Sequence, residues 1–479
     1  MHKIQNFING KYVDPIKGQY VENINPAIGE AYSQVAFSTK DDVDLAVAAA
    51  KSTFSDWKKT SPKERVQYLQ KISKLIHNNL DELAKAETID NGKPLKLSTS
   101  VDIPRAVENF DFYAHCLSQF GERAYQTDER TFNTTYHSPL GVVGLISPWN
   151  LPLYLLTWKV APALAMGNTM VAKPSEITPM TASLLCQIIK DAGVPDGVFN
   201  MVHGHGADVG APLCEHPDVS AISFTGSTFT GKSIAQSCAK SFKKVSLEMG
   251  GKNPNIIFAD CEYEKALKTT VHSSFANQGQ ICLCGSRIFI EESIYEKFKN
   301  DLVDRAKQIT VGDPMDSKAK CGAIVSLRQY EKVLTYIELA KQEGGKVLCG
   351  GEAITQKGFE KGFYIAPTII ENLDPHCRVN QEEIFGPVVT LTPFKKEQEV
   401  LEWANSTEYG LSATVWTKDL TRANHFSRQL QSGIVWVNTW LNRDLRTPFG
   451  GVKNSGVGRE GGDYALNFFS EVKNICTQY

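Results

Sequence analysis

Three short segments set reactive residue types among small or turn-forming neighbours. In Phe275-Ala276-Asn277-Gln278-Gly279-Gln280-Ile281-Cys282-Leu283-Cys284, glycine and amide residues lead into a cysteine at the mouth of an apolar strand. Exposed backbone N–H groups at such a turn would lower a thiol pKa and bind the oxyanion formed when the thiolate attacks a carbonyl. Val245-Ser246-Leu247-Glu248-Met249-Gly250-Gly251-Lys252 places one carboxylate at an apolar strand end before paired glycines. Burial there would raise the carboxyl toward the range of a general base. Ser147-Pro148-Trp149-Asn150-Leu151-Pro152 sets an amide donor after a strand, between prolines. Each segment alone has a plainer reading: a buried inert cysteine, a surface or capping glutamate, a turn asparagine.

The surrounding pattern shows what must hold them. The first forty residues alternate short apolar runs with Gly and Pro turns, as small strands do. From Lys40 to about Phe120 apolar residues recur at helical spacing, for example Leu69, Ile72, Leu75 and Ile76. From Leu140 onward strands and helices alternate. Val142–Ile146, Thr169–Ala172, Val198–Val202, Val219–Phe224 and Asn255–Phe258 read as strands. A helix capped by Thr178 and ended by Gly193 falls between the second and third. This β-α-β order predicts a parallel, doubly wound sheet with ligands at the carboxyl ends of its strands. A second α/β set follows Cys282: strands at Arg287–Ile290, Val388–Leu391 and Ile434–Asn438, and helices near Ser293–Ile309 and Leu327–Glu343. Two closely packed domains with a cleft between them are expected.

A chain of 479 residues is long for one domain. Its 51 Lys and Arg nearly balance 53 Asp and Glu, so neither nucleic acid nor an anionic membrane is expected as a partner. The 11 cysteines are odd in number and lack CxxC or His-rich spacing, which predicts no metal site, no disulfide framework and a reducing, cytoplasmic setting. The start of the chain lacks the apolar run of a signal peptide. Leu151–Ala172 is apolar but carries Lys159, Pro152 and Pro162, so a packed helix is expected and not a membrane span.

Together the segments resemble the NAD(P)-dependent aldehyde dehydrogenase superfamily. Its motifs occur in order along the chain: Pro148-Trp149-Asn150, Lys173-Pro174-Ser175-Glu176, Phe224-Thr225-Gly226-Ser227, Leu247-Glu248-Met249-Gly250-Gly251, Gly279-Gln280-Ile281-Cys282 and Glu382-Glu383-Ile384-Phe385-Gly386-Pro387. The resemblance implies a Rossmann-type cofactor domain (1–120 and 140–248), an α/β catalytic domain (249–447) and a small β bridging domain (121–139 and 462–479). The bridging domain pairs subunits by strand addition, into a homodimer or homotetramer.

It also implies a mechanism. Cys282 attacks the aldehyde to give a thiohemiacetal, with Asn150 and the Cys282 backbone N–H holding the oxyanion. Hydride leaves to the nicotinamide, and Glu248 activates the water that hydrolyses the thioester. Members that pass the acyl group to coenzyme A usually lack this glutamate, so hydrolysis is favoured. No clean G-x-G-x-x-G is present. By resemblance the cofactor contacts are Ile146, Ser147, Pro148, Trp149, Lys173, Ser175, Glu176, Gly206, Gly210, Phe224, Thr225, Gly226, Ser227, Glu383 and Phe385. Glu176 beside the adenosine ribose would repel a 2′-phosphate and so favour NAD.

Two arginines stand where the family's substrate tunnel usually carries apolar or aromatic residues: Arg105 in Asp102-Ile103-Pro104-Arg105 and Arg443 in Asn442-Arg443-Asp444-Leu445-Arg446-Thr447-Pro448. Both wordings are similar to the 2-aminomuconic and 2-hydroxymuconic semialdehyde dehydrogenases, which implies a substrate with a distal carboxylate held by arginine. Arg446 is the second candidate for that contact. A broad aliphatic, betaine-type or retinal-type aldehyde dehydrogenase is the alternative.

Overall fold

The computed structural model describes residues 1–355 and 357–479. Five parallel strands form the centre of the first sheet, in the order Lys244–Glu248, Val219–Thr225, Val142–Ile146, Thr169–Lys173, Phe199–Met201. The chain leaves Val142–Ile146 in one direction and returns to its other side at Val219–Thr225. The crevice at that reversal is where such sheets bind ligands. The hairpin Asn6–Ile8 and Lys11–Val13 extends one edge, and Gly456–Val457 pairs antiparallel on the other.

The second sheet orders Lys346–Cys349, Thr368–Glu371, Val388–Phe394, Arg287–Glu291, Pro254–Ile257, Ser412–Trp416 and Ile434–Val437, parallel except for its first strand. Strands buried on both faces read as continuous apolar runs, and Val142–Ile146 and Ser412–Trp416 are buried at every position.

Helix Pro152–Ala165 is buried at all but two of its residues, because it threads between the first sheet and helices Pro62–Asn78 and Ile103–Gln119. Its apolar composition thus serves the core, and among the described residues no helix is long and apolar enough to cross a membrane. The helix expected from Thr178 begins instead at Met180. Thr178 turns its hydroxyl toward the Trp149 carbonyl at 3.4 Å, while Asp90 Oδ2 accepts from the Met180 N–H at 2.7 Å. A distant carboxylate does the capping that the local residue was expected to do.

Ala124–Gln126, Thr131–Pro139 and Ser470–Gln478 make a separate antiparallel sheet. Its C-terminal strand lies at an edge and is exposed from Glu471 to Gln478. The preceding helix Gly462–Phe468 is not part of that sheet: Ala465 and Leu466 are buried in the core beside Phe110 and Trp158.

Candidate active site

The turn before Cys282 is built from backbone that side chains rarely adopt. Asn277, Gln278 and Gly279 have φ of 49°, 55° and 69°. At Gly279 a Cβ would lie 2.0 Å from the Gly386 carbonyl oxygen, so glycine alone fits. The neighbouring amides hold the turn: Gln278 Nε2 donates to the Ala323 carbonyl at 2.8 Å, and the Val325 N–H donates to Gln280 Oε1 at 3.1 Å. Asn253 Nδ2 donates to the carbonyls of Cys282 (2.7 Å) and Cys284 (2.9 Å). Cys282 itself is half-buried, in a turn ahead of strand Arg287–Glu291. Its thiol is not lowered as expected. Burial, then the Glu383 and Glu248 carboxylates, push it above the ordinary cysteine range, and the opposing pull of Arg443 is weaker.

Asn150 lies between strand Val142–Ile146 and helix Pro152–Ala165, and its Nδ2 donates to the Gln280 carbonyl at 3.0 Å, two residues from the thiol. Glu248 ends its strand with a side chain only 3 % exposed, and neither carboxylate oxygen has a hydrogen-bond partner among the described residues. Burial first, then Glu460, raise Glu248 well above the carboxylate range against Lys159, Arg459 and Arg443. Space for the carboxylate comes from Gly450, where a Cβ would fall 2.6 Å from Glu248 Oε1. Once ionised, a buried, unpaired carboxylate of this kind is a strong enough base to take a proton from water.

Cys282 and Asn150 share a cavity of about 750 Å³ whose walls come from both sheets' domains; Glu248 is not in its lining, but the next two residues, Met249 and Gly250, are. Of the expected cofactor residues, Pro148, Trp149, Thr225, Gly226, Ser227, Glu383 and Phe385 line this cavity. Ser227 caps helix Thr228–Ala239, its Oγ accepting from the Thr230 N–H at 3.2 Å, and the helix N-terminus faces the cavity. Ser147 Oγ and Thr225 Oγ1 are buried with no partner among the described residues. Ile146 and Phe224 pair across adjacent strands beneath them. Glu383 Oε1 accepts from the Gly251 N–H at 2.9 Å, and a Cβ on Gly250 would meet this carboxylate at 2.1 Å.

Lys173, Ser175, Glu176, Gly206 and Gly210 are absent from that lining. Lys173 Nζ donates to Glu176 Oε2 at 3.1 Å, and His205 Nδ1 lies 3.4 Å from Glu176 Oε1. Burial alone would raise Glu176; Lys173, hydrogen bonds and His205 outweigh it and hold the carboxyl below its ordinary value. Ser175 Oγ accepts from the Ile177 N–H at 3.3 Å, a turn contact. Gly210 faces the Lys173 side chain, and a Cβ on Gly206 would meet open space.

Several lining residues were missed. Phe229 and Thr230 belong to the first turn after Ser227, and Arg328, Gln329 and Lys332 come from helix Leu327–Gln342 of the second domain. Gln329 Nε2 donates to the Phe385 carbonyl at 2.8 Å, and Lys332 Nζ to that of Glu383 at 2.9 Å. Phe385, held at φ 62°, meets Trp149 edge-on at 5.2 Å across the two domains. Arg328 and Lys332, four apart on one helix face, were the available signal.

Of the three arginines, Arg443 turns inward. Its guanidinium carbon lies 4.4 Å from the Trp158 ring centre and 3.9 Å from that of Phe449. Nη1 donates to the Tyr154 hydroxyl at 2.9 Å, while Nε and Nη2 are buried without partners among the described residues. Arg105 is half-buried over the same Tyr154 ring at 5.7 Å and pairs with Glu108 at 3.1 Å. Arg446 does not join them. Its side chain is 79 % exposed and paired with Asp444, because the turn at Asp444 directs it to solvent.

The chain matches the Aldehyde dehydrogenase family over residues 12–475. It is 47% identical to a 2-aminomuconic semialdehyde dehydrogenase of Danio rerio, covering 99% of this chain and 98% of that one. It is 45% identical to a 2-hydroxymuconic semialdehyde dehydrogenase of Pseudomonas sp. (strain CF600), with both chains fully covered at 100%. An aldehyde dehydrogenase of Bacillus cereus, solved as an NAD+ complex, superposes with a TM-score of 0.97 at 39% identity, over 100% of this chain and 97% of that one. A thiol and an amide converge on one interdomain cavity, the chain next to a buried carboxyl lines the same cavity, and the likeness runs the length of the chain: the protein belongs to the aldehyde dehydrogenase family.

Proposed function

We propose that the protein is an NAD-dependent dehydrogenase that oxidises a semialdehyde bearing a distal carboxylate, 2-aminomuconic or 2-hydroxymuconic 6-semialdehyde, to the acid. The observation that carries the substrate class is Arg443: a guanidinium stacked between Trp158 and Phe449 with two buried nitrogens unpartnered. A cation with unmet donors in such a place calls for an anion, and a carboxylate matches its geometry. The same cation occupies the aromatic faces that a quaternary ammonium would need. Arg105, over the same Tyr154 ring and already paired with Glu108, is the weaker candidate for that contact.

The chain's own groups divide the work. Cys282 Sγ attacks the aldehyde carbon once its proton has passed to solvent water, and the Asn150 amide with the Cys282 N–H holds the resulting oxyanion. NAD, when bound, supplies the hydride acceptor. Glu248 then takes a proton from the water that cleaves the thioester, and Glu460 with Lys159 Nζ 2.9 Å away sets its charge environment. The orphaned Thr225 hydroxyl, the Ser227-capped helix terminus and the Glu383 carboxylate, all lining the cavity, would hold NAD there, with the buried, unpartnered Ser147 hydroxyl as a further donor. Lys173 and Glu176 would hold the adenosine ribose. The exposed edge strand Ser470–Gln478 suits pairing with a second copy into a dimer or dimer of dimers, and eleven free cysteines suit the cytoplasm.

The test is NADH formation from 2-hydroxymuconic semialdehyde beside an uncharged aldehyde of similar length. A large kcat/KM preference for the carboxylated substrate supports the reading. Equal values leave a broad-specificity aldehyde dehydrogenase.

A further inference from the structure

The Asn150 backbone carbonyl is held by both domains. Lys93, 0 % exposed, donates from Nζ to this oxygen at 3.1 Å, and Asn277 Nδ2 donates to it at 3.0 Å from the catalytic domain. Lys93 Nζ also bonds Asp102 Oδ2 and lies 3.4 Å from Glu87 Oε1. The other Glu87 oxygen accepts from the Thr181 hydroxyl at 2.9 Å and faces the Leu153 N–H at 3.4 Å, in the first turn of the helix that follows Asn150. Asn91 Nδ2 donates to the Trp149 carbonyl at 2.8 Å. On its other side Asn277 Nδ2 reaches the Gln280 carbonyl at 3.3 Å, the same oxygen to which the Asn150 side chain donates.

We propose that Lys93 and Asn277 are positioning residues for the reaction, clamping the Asn150 carbonyl from two domains so that its side-chain amide stands fixed beside the Cys282 turn. The inference rests on the reading of Asn150 as the oxyanion donor. Removing a buried ion pair's cation to no structural end would be costly, since two carboxylates surround it. The cluster's directed use is that one of the ammonium's three donors leaves the ion pair for a peptide oxygen of the reacting segment. An amide used against a developing charge must be in place before the charge forms, because reorientation during the reaction would consume the stabilisation.

The experiment is a mutant cycle read by the single-turnover rate of NADH formation with saturating NAD and propanal, a substrate that does not depend on the arginines. Asn150→Ala should slow this rate about 100-fold, as loss of one oxyanion donor does. Lys93→Met should slow it about 10-fold or more while leaving the NAD dissociation constant within about threefold, since the amide remains but is loosened. Added to Asn150→Ala, Lys93→Met should cost nothing further, within about twofold. Asn277→Gly, which suits the positive φ and removes only the side chain, should show the same non-additivity and decides the matter if Lys93→Met does not fold. An unchanged rate in both single variants, or losses that multiply with Asn150→Ala, overturns the clamp. An unaltered rate in Asn150→Ala itself would instead overturn the oxyanion reading beneath it.

Discussion

Arg443 and Tyr154 are joined by a 2.9 Å hydrogen bond from Nη1 to the phenol oxygen, which ties the guanidinium from the C-terminal segment to helix Pro152–Ala165. That bond uses one edge of the fork and leaves Nε and Nη2 directed elsewhere. Tyr154, which no motif singled out, also lies under Arg105. One phenol thus orders both cations.

Arg443→Met should cut kcat/KM for the carboxylated semialdehyde by about 2–4 kcal/mol, a loss typical of a desolvated charge-assisted pair. For an uncharged aldehyde the change should stay within about fivefold, since no anion is lost. Steady-state kinetics on the two substrates checks this, and parallel losses would remove Arg443 from substrate recognition.

Glu248→Gln should leave the thioester unhydrolysed. Intact mass spectrometry after mixing with NAD and aldehyde should show an acyl adduct on the protein, with turnover reduced about 100-fold or more. The variant should also be the more stable one at neutral pH. A carboxyl whose folded pKa is raised stabilises the fold below its unfolded pKa, and that contribution is lost as pH rises through the folded pKa. Thermal unfolding against pH should therefore fall more steeply for the native chain than for Glu248→Gln. The difference is on the order of 1–3 kcal/mol for one unpaired buried carboxylate.

Without cofactor or substrate, Cys282 should react slowly with iodoacetamide at pH 7, and its alkylation rate should climb steadily beyond pH 9. Burial and the Glu383 and Glu248 carboxylates keep the proton on the thiol. A rate that is already level by pH 7 would mean a resting thiolate and would contradict this balance.

Glu176→Gln should lower the NAD-over-NADP preference in kcat/KM about tenfold, because a like-charge contact is removed and Lys173 loses its 3.1 Å partner. Equilibrium binding of each dinucleotide provides the check. An unaltered ratio would place the adenosine ribose away from Lys173 and Glu176.

The types of group and their order along the chain were legible in the sequence: the parallel first sheet, the Gly-rich turn before Cys282 and the carboxylate at a strand end. These depend on local propensity, on alternation, and on a glycine demanded by backbone approach, all of which leave traces within a few residues. Tertiary structure decided what depends on distant charge. The Cys282 thiol rises and does not fall because burial first, and then the Glu383 and Glu248 carboxylates brought in from distant segments, override the local N–H groups. The Met180 helix is capped by Asp90, ninety residues back along the chain, and not by Thr178. Arg443 and Arg446 are three positions apart in one turn-rich segment, yet one enters an aromatic slot and the other pairs with Asp444 in solvent. Spacing could not separate them, because the slot is made by Trp158 and Tyr154 from a helix almost three hundred residues earlier.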